Sequence, residues 1–133
     1  MLRTGKLRIV LGCAALGLAA PPIAAAVSEL AMLDTLQPGM WEIRSRADGS
    51  RRIICLRNGR DFIQLQHRQG GCTRFVVQDE AQEVTVQYTC RGDGYGRTTI
   101  RREGSGLVQL QSQGSQGGSP FSIEGEARRT GPC

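Results

Sequence analysis

Residues 83–90 read Glu-Val-Thr-Val-Gln-Tyr-Thr-Cys and form the clearest strand pattern of the chain. Every second residue from Val84 to Cys90 is apolar or aromatic, and the residues between them are Thr or Gln. Successive side chains of a β-strand point to opposite faces, so the alternation places the apolar side chains on one side. A strand of this kind is typical of an antiparallel sheet with one packed face and one polar face.

The flanking sequence repeats this pattern between short turns rich in Gly and Asp. The predicted strands cover residues 40–44, 52–56, 72–78, 83–90, 95–102, 107–113 and 121–128, with a flexible loop at 114–119. A flat open sheet would leave its apolar face in water. We therefore expect a mainly β fold, in which about seven antiparallel strands form a curled meander, either a barrel or a half-barrel. One or two short helices should cover its open side.

Two segments outside the strands have helical signals. Residues 27–37 predict a helix or tether before the disulfide-bonded β domain of residues 38–133. Ser28 would cap this helix, and its leucines are spaced along one face. Residues 58–66 predict a short helix capped by Asn58. Trp41, the single tryptophan, is predicted to anchor the core and not to serve as a ligand platform. The predicted core consists of Trp41, Ile43, Phe75, Val84, Val86, Tyr88, Phe121 and Ile123.

Residues 1–26 have the three parts of a secretory signal peptide. Basic residues open the chain, an apolar run follows, and Ala24-Ala25-Ala26 supplies a small-x-small cleavage site. A retained membrane anchor is the first alternative, because the apolar run approaches the ~18 residues that span a bilayer. Lipidation at Cys13 is the second, although the apolar stretch before Cys13 is short. We expect cleavage near Ala26, a periplasmic or secreted domain, and no stable membrane anchor afterwards.

The export signal also contributes to the basic charge. The chain has 17 basic and 12 acidic residues, and three of the basic residues but no acidic ones precede residue 27. The remaining 14 arginines exceed the 12 carboxylates by two, which gives a net charge of +2. A nucleic-acid-binding domain usually has a strongly basic surface, so we expect no nucleic-acid partner.

Four cysteines follow the leader, at positions 55, 72, 90 and 133. In an exported domain they predict two disulfides with three possible pairings. We favour Cys55–Cys72 and Cys90–Cys133, because each pair joins neighbouring segments of the chain. A zinc site is the alternative, but the sequence has no Cys-x-x-Cys pair and a single histidine, His67. We therefore expect no metal and no cofactor.

The segment Leu36-Gln37-Pro38-Gly39-Met40-Trp41-Glu42 resembles the Pro-Gly-Leu-Trp-Glu opening of the DUF3617 family. The order of the four cysteines and the strands fits the same family, so the resemblance covers residues 36–133. Met40 replaces the usual Leu, the interval from Trp41 to Cys55 is short, and Met-rich strands are missing. The resemblance implies an exported, disulfide-bonded β domain of Gram-negative bacteria, and it implies no catalytic residues.

The sequence contains no convincing catalytic set. Nucleophilic catalysis needs a base, and His67 is predicted to lie on the polar end of the short helix. Glu124 and Glu126 lie on one face of a strand and could form the carboxylate pair of a glycoside hydrolase. A solvated outer face is the favoured interpretation, since Ser122 and Arg128 flank them. We therefore expect no enzyme and name no catalytic residue.

Three Arg-Arg pairs recur in the predicted strands, at 51–52, 101–102 and 128–129. Adjacent strand residues point to opposite faces, so one arginine of each pair should point toward the packed face or its rim. Arg52, Arg101 and Arg128 are thus a candidate anion-binding site if the rims coincide. Alternatively, these charges protect strand ends and sheet edges.

Together these features predict an exported, non-catalytic module of the cell envelope. Its partner would be a small apolar or anionic envelope ligand or another envelope protein. The alternative is a hydrolase or a lysozyme-inhibitor-like protein acting at envelope polymers.

Overall fold

The computed structural model describes residues 29–133, in which seven antiparallel strands form one sheet. The strands are β1 (Gly39–Ser45), β2 (Arg51–Leu56), β3 (Thr73–Asp79), β4 (Glu83–Cys90), β5 (Gly94–Gly104), β6 (Leu107–Gln116) and β7 (Ser119–Gly131). A short helix, α1 (Ala31–Asp34), precedes them, and a 3₁₀ turn (Gly59–Phe62) follows β2. The mainly β fold with about seven strands is confirmed.

The strand order is β2-β1-β7-β6-β5-β4-β3. Strands β3 to β7 form the expected meander, and β1 pairs with β7 because the chain crosses the sheet after β2. Strands β2 and β3 lie at the two edges, so the sheet described for residues 29–133 does not close into a barrel. Residues 57–72, here called the crossing segment, connect one edge to the other and contain the 3₁₀ turn.

The two faces of the sheet differ as the alternation of residues 83–90 predicts. The covered face carries the core, which includes Trp41, Ile43, Ile54, Leu56, Val84, Val86, Tyr88, Ile100, Val108, Leu110 and Ala127. The opposite face, here called the open face, carries Glu42, Gln87, Arg97, Thr99, Arg101, Gln109, Gln111, Gln113, Glu124, Glu126 and Arg128. Helix α1 and the crossing segment both pack on the covered face.

Trp41 anchors this packing, as predicted. Its side chain is fully buried, and its ring meets that of Phe62 edge to face at 5.2 Å between centroids. The indole Nε1 donates a hydrogen bond of 3.0 Å to the Gln37 carbonyl, which satisfies the buried donor. The 3₁₀ turn is thereby placed directly over β1.

The predicted core is mostly correct. Trp41, Ile43, Val84, Val86 and Tyr88 are buried, while Phe121 and Ile123 are half-buried. Phe75 was predicted wrongly, because its side chain is 69% exposed. It pairs with Gln87 on the open face, whereas the neighbouring Val76 pairs with Val86. Because successive side chains of a strand point to opposite faces, an error of one residue assigns every side chain of the strand to the wrong face.

The helical predictions were too long. Helix α1 has four residues, and Leu30 before it has a φ of 60° and no side-chain cap. Ser28 and the predicted signal peptide lie outside the described residues. In the 3₁₀ turn, Asn58 is the predicted cap, and its Oδ1 accepts a hydrogen bond of 2.9 Å from the Arg60 amide.

The last three strands are longer than predicted, and the predicted loop at 114–119 is mostly strand. Gly117 and Gly118 alone form the tight turn, with φ values of 55° and 83°. Gly114 lies within β6 and not in a loop. A Cβ at this position would collide with the carbonyl of Tyr95 on β5. Its glycine therefore permits a close approach of strands and does not mark a loop.

The predicted disulfide pairing is wrong. The structure joins Cys55 to Cys133, with 5.7 Å between their Cα atoms, and Cys72 to Cys90, with 4.3 Å. The cause is the placement of β1 between β2 and β7. The end of β7 reaches Met40, which pairs with Cys55 on its other side. Segments distant in sequence thus become neighbours in the sheet.

Candidate anion-binding pocket

The predicted anion-binding arginines do not come together. Arg101 and Arg128 lie on the open face, and each contacts a carboxylate, Glu103 at 3.3 Å and Glu126 at 3.1 Å. Arg52 lies on the covered side of the edge strand β2 and donates a hydrogen bond of 2.9 Å to the Leu65 carbonyl. Arg52 therefore lies on the opposite face from the other two arginines, and those two are already neutralised.

The carboxylates of the predicted hydrolase pair are also neutralised. Glu124 contacts Arg46 at 3.0 Å, and Glu126 accepts hydrogen bonds from Arg128 and Gln109. The hydrogen bond from Arg128 is the main reason that the pKa of Glu126 lies below its usual value. A glycosidase acid needs a raised pKa, so this environment is unsuited to proton donation.

A different group of arginines surrounds a polar pocket of about 310 Å³. Three belong to the crossing segment and the fourth to edge strand β3. They are Arg57, Arg60, Arg68 and Arg74. Asp61 is the carboxylate that lines the same pocket, so positive charge predominates there.

The floor of this pocket is Gln64, which is 8% exposed and fully engaged. Its Nε2 donates a hydrogen bond of 3.0 Å to the His67 carbonyl. Its Oε1 accepts one of 2.7 Å from Nε of Arg74. The amide thereby orients the guanidinium of Arg74 through one donor.

The four arginines are not equally available. Arg57 pairs with Asp61 at 3.3 Å, and Arg60 pairs with Asp34, whose pKa it lowers. Within residues 29–133, Arg68 and Arg74 form no ion pair with a carboxylate. A guanidinium is a planar donor fork that matches carboxylate or phosphate oxygens. The pocket thus has two uncompensated forks beside two compensated ones.

His67 lies behind the pocket and is completely buried, which corrects its predicted position on a polar helix end. Its Nδ1 is 3.0 Å from the Tyr88 hydroxyl, and burial raises the pKa of Tyr88. Its Nε2 has no hydrogen-bond partner in the described part of the chain and lies 3.9 Å from Asp93 Oδ2. Gly96 makes the arrangement possible, because a Cβ there would fall on the Tyr88 hydroxyl.

This pocket was not predicted from the sequence, because the predicted anion site was based on arginine pairs in strands. The relevant signal was the density of arginine in an irregular segment, since Arg57, Arg60 and Arg68 all precede β3. In such a segment no periodicity predicts where a side chain points. The packing of Phe62 and Ile63 into the core decides it.

These features define a class of protein: a single open antiparallel sheet, with two disulfides and an arginine-lined pocket on its crossing segment. The family model described as "Protein of unknown function (DUF3617)" matches residues 36–133. The chain therefore belongs to the DUF3617 family, and the sequence resemblance is confirmed. Comparisons with curated proteins and with solved structures gave no match.

Within residues 29–133, no helix combines the length and the apolar character that a membrane span needs. No group of three or more His, Cys, Asp or Glu side chains in this range could hold a metal ion.

Proposed function

We propose that this protein is an exported, non-catalytic module of the cell envelope that binds an anionic ligand in the arginine pocket. The observation that carries the proposal is the uncompensated charge of Arg68 and Arg74 above the fixed amide of Gln64. The anionic class of ligand agrees with the sequence-based expectation, although other arginines supply the charge.

Export is supported by two kinds of evidence. Residues 1–26 have the composition of a signal peptide. The four remaining cysteines form two disulfides, which persist in oxidising compartments such as the periplasm. Both point to a domain that works outside the cytoplasm.

The pocket limits the size and charge of the ligand. Its volume of about 310 Å³ is at the lower end of the range of about 300–1,000 Å³ typical of small-molecule sites. Two guanidiniums whose charge no carboxylate compensates match a compact group with two negative charges, such as a phosphate ester or a dicarboxylate.

Calorimetric titration of the exported protein with inorganic pyrophosphate, and separately with citrate, tests the proposal and distinguishes phosphate from carboxylate. We expect binding that weakens with added salt. Arg68→Gln and Arg74→Gln should each weaken it about 10- to 100-fold, since a hydrogen bond to a charged group contributes about 1.5–3 kcal/mol.

Arg101→Gln is the matched control, because it removes the same charge from the open face, where Glu103 already compensates it. It should leave the affinity unchanged. If neither anion binds, or if all three variants lose affinity equally, the pocket is not a specific anion site. The lysozyme-inhibitor alternative stays a prediction, which an inhibition assay tests.

A further inference from the structure

A second pocket, of about 420 Å³, lies on the open face and uses none of the residues of the arginine pocket. Gln87 on β4, Arg97 on β5 and Gln113 on β6 pair in register across three strands. Side chains opposite each other on neighbouring strands are about 4.5–5.5 Å apart at Cβ. They therefore form one continuous row of planar hydrogen-bonding groups.

All three side chains of the row are exposed. Among residues 29–133, none of them forms a side-chain hydrogen bond or an ion pair. This differs from the next arginine on the same strand face, Arg101, which contacts Glu103 at 3.3 Å. The row thus offers two free amides, each with donors and an acceptor, and one uncompensated guanidinium.

An aromatic surface borders the row. Tyr95 lies two residues before Arg97 and hence on the same face of β5, and its side chain is 53% exposed. Pro120 lines the other side of the pocket, whereas the ring of Phe121 lies 5.7 Å from that of His67 on the covered face. An exposed tyrosine provides a flat apolar ring with a polar tip. Its ring can cover the C–H face of a sugar while the amides reach adjacent hydroxyls.

From this geometry we infer that the open face binds a saccharide that carries a carboxylate. Each amide has a donor and an acceptor side by side and so matches a pair of vicinal hydroxyls, and the single uncompensated guanidinium of Arg97 matches one carboxylate. A nucleic acid fits less well, because the row supplies one positive charge and two neutral groups. The pocket volume lies within the range of about 300–1,000 Å³ of small-ligand sites.

The test is a titration of the ¹⁵N-labelled exported protein with trigalacturonic acid, followed by NMR. We expect amide shifts confined to β4, β5 and β6 around the row, with a dissociation constant of about 1 mM. The neutral methyl ester of the same trisaccharide should bind about tenfold more weakly, because it cannot pair with Arg97.

Arg97→Gln and Tyr95→Ala should each weaken binding about tenfold. Both side chains are exposed, so the folds of the variants should be intact. Arg101→Gln, on the same strand and face, is the control and should bind normally. The inference is wrong if no shifts occur at about 10 mM sugar, or if acid and ester bind equally. Shifts confined to the surroundings of Arg68 and Arg74, or tighter binding of oligothymidylate to the row, would also contradict it.

Discussion

Replacing Cys55 and Cys133 together by serine should destabilise the protein more than any other disulfide change. This disulfide joins the end of β2 to the end of the chain, and it clamps β1 between β2 and β7. The matched perturbation replaces Cys72 and Cys90 together by serine. The disulfide that it removes joins the start of β3 to the end of β4.

The two costs follow from the lengths of the closed loops. The sequence separation is 78 for Cys55–Cys133 and 18 for Cys72–Cys90. The chain-entropy relation gives about 4.5 and about 3.2 kcal/mol respectively as the loss of stability. Small domains have a total stability of about 5–15 kcal/mol, so the first loss is a large share of it.

Urea unfolding, followed by the fluorescence of the buried Trp41, measures both losses. With an m-value of about 1–2 kcal/mol/M, removing Cys55–Cys133 should lower the midpoint by about 2.3–4.5 M. The Cys72–Cys90 variant should lose about 1 kcal/mol less. A larger loss for the Cys72–Cys90 variant would refute the reasoning.

The pairing itself can be checked on the native protein. Trypsin cleaves after Arg57, Arg74, Arg91 and Arg129, so each cysteine falls in a separate peptide. A non-reducing digest should link residues 53–57 to 130–133 and residues 69–74 to 75–91. A link between 53–57 and 69–74 would contradict this disulfide pairing and with it the pairing of β1 with β7.

Three further predictions concern single side chains. Gly59→Ala should cost about 1–3 kcal/mol, because its Cβ would collide with a backbone carbonyl of α1, whereas Gly70→Ala, where nothing lies within 4 Å, should be neutral in the same urea assay. The hydrogen bond from Arg60 lowers the pKa of Asp34 below 3.8. The Asp34–Arg60 pair therefore stabilises the fold above pH 3.8, and this stabilisation is lost as the pH falls through the lowered pKa. Asp34→Asn should flatten the acid limb of the plot of stability against pH. Burial raises the pKa of Tyr88 above 10.0, so stability should fall as the pH rises past 10.0, and Tyr88→Phe should remove that slope; an unchanged alkaline slope in the variant would contradict the assignment.

Local sequence predicted the central strands because each of them has a covered and an open face. The alternation in residues 83–90 is a direct consequence of burial on one side, and β4 has the same bounds in the structure. Phe75 shows the limit of this reasoning, since β3 is an edge strand with a register shift between Val76 and Gln78. At such an edge, apolar residues lie on both faces, and alternation no longer tells which side is covered.

The long-range features could not be read in this way. The pairing of β1 with β7 depends on a crossing of the whole sheet, and neither strand carries a local mark of its partner. The favoured disulfides were therefore wrong, although the number of disulfides was right. The burial of His67 has the same origin, because it depends on the crossing segment packing over Tyr88.

The disulfides and the arginine pocket are parts of one arrangement. Cys55 precedes the crossing segment and Cys72 ends it. Their partners are Cys133, which lies just after β7, and Cys90, the last residue of β4. Both ends of an otherwise irregular segment are thus tied to the sheet, while Phe62 fixes its middle against Trp41. A segment held at three points keeps its arginines near one another before a ligand arrives. Binding then costs less ordering of the site, which is how pre-organisation raises affinity. Oxidation of the four cysteines would therefore assemble the pocket together with the fold.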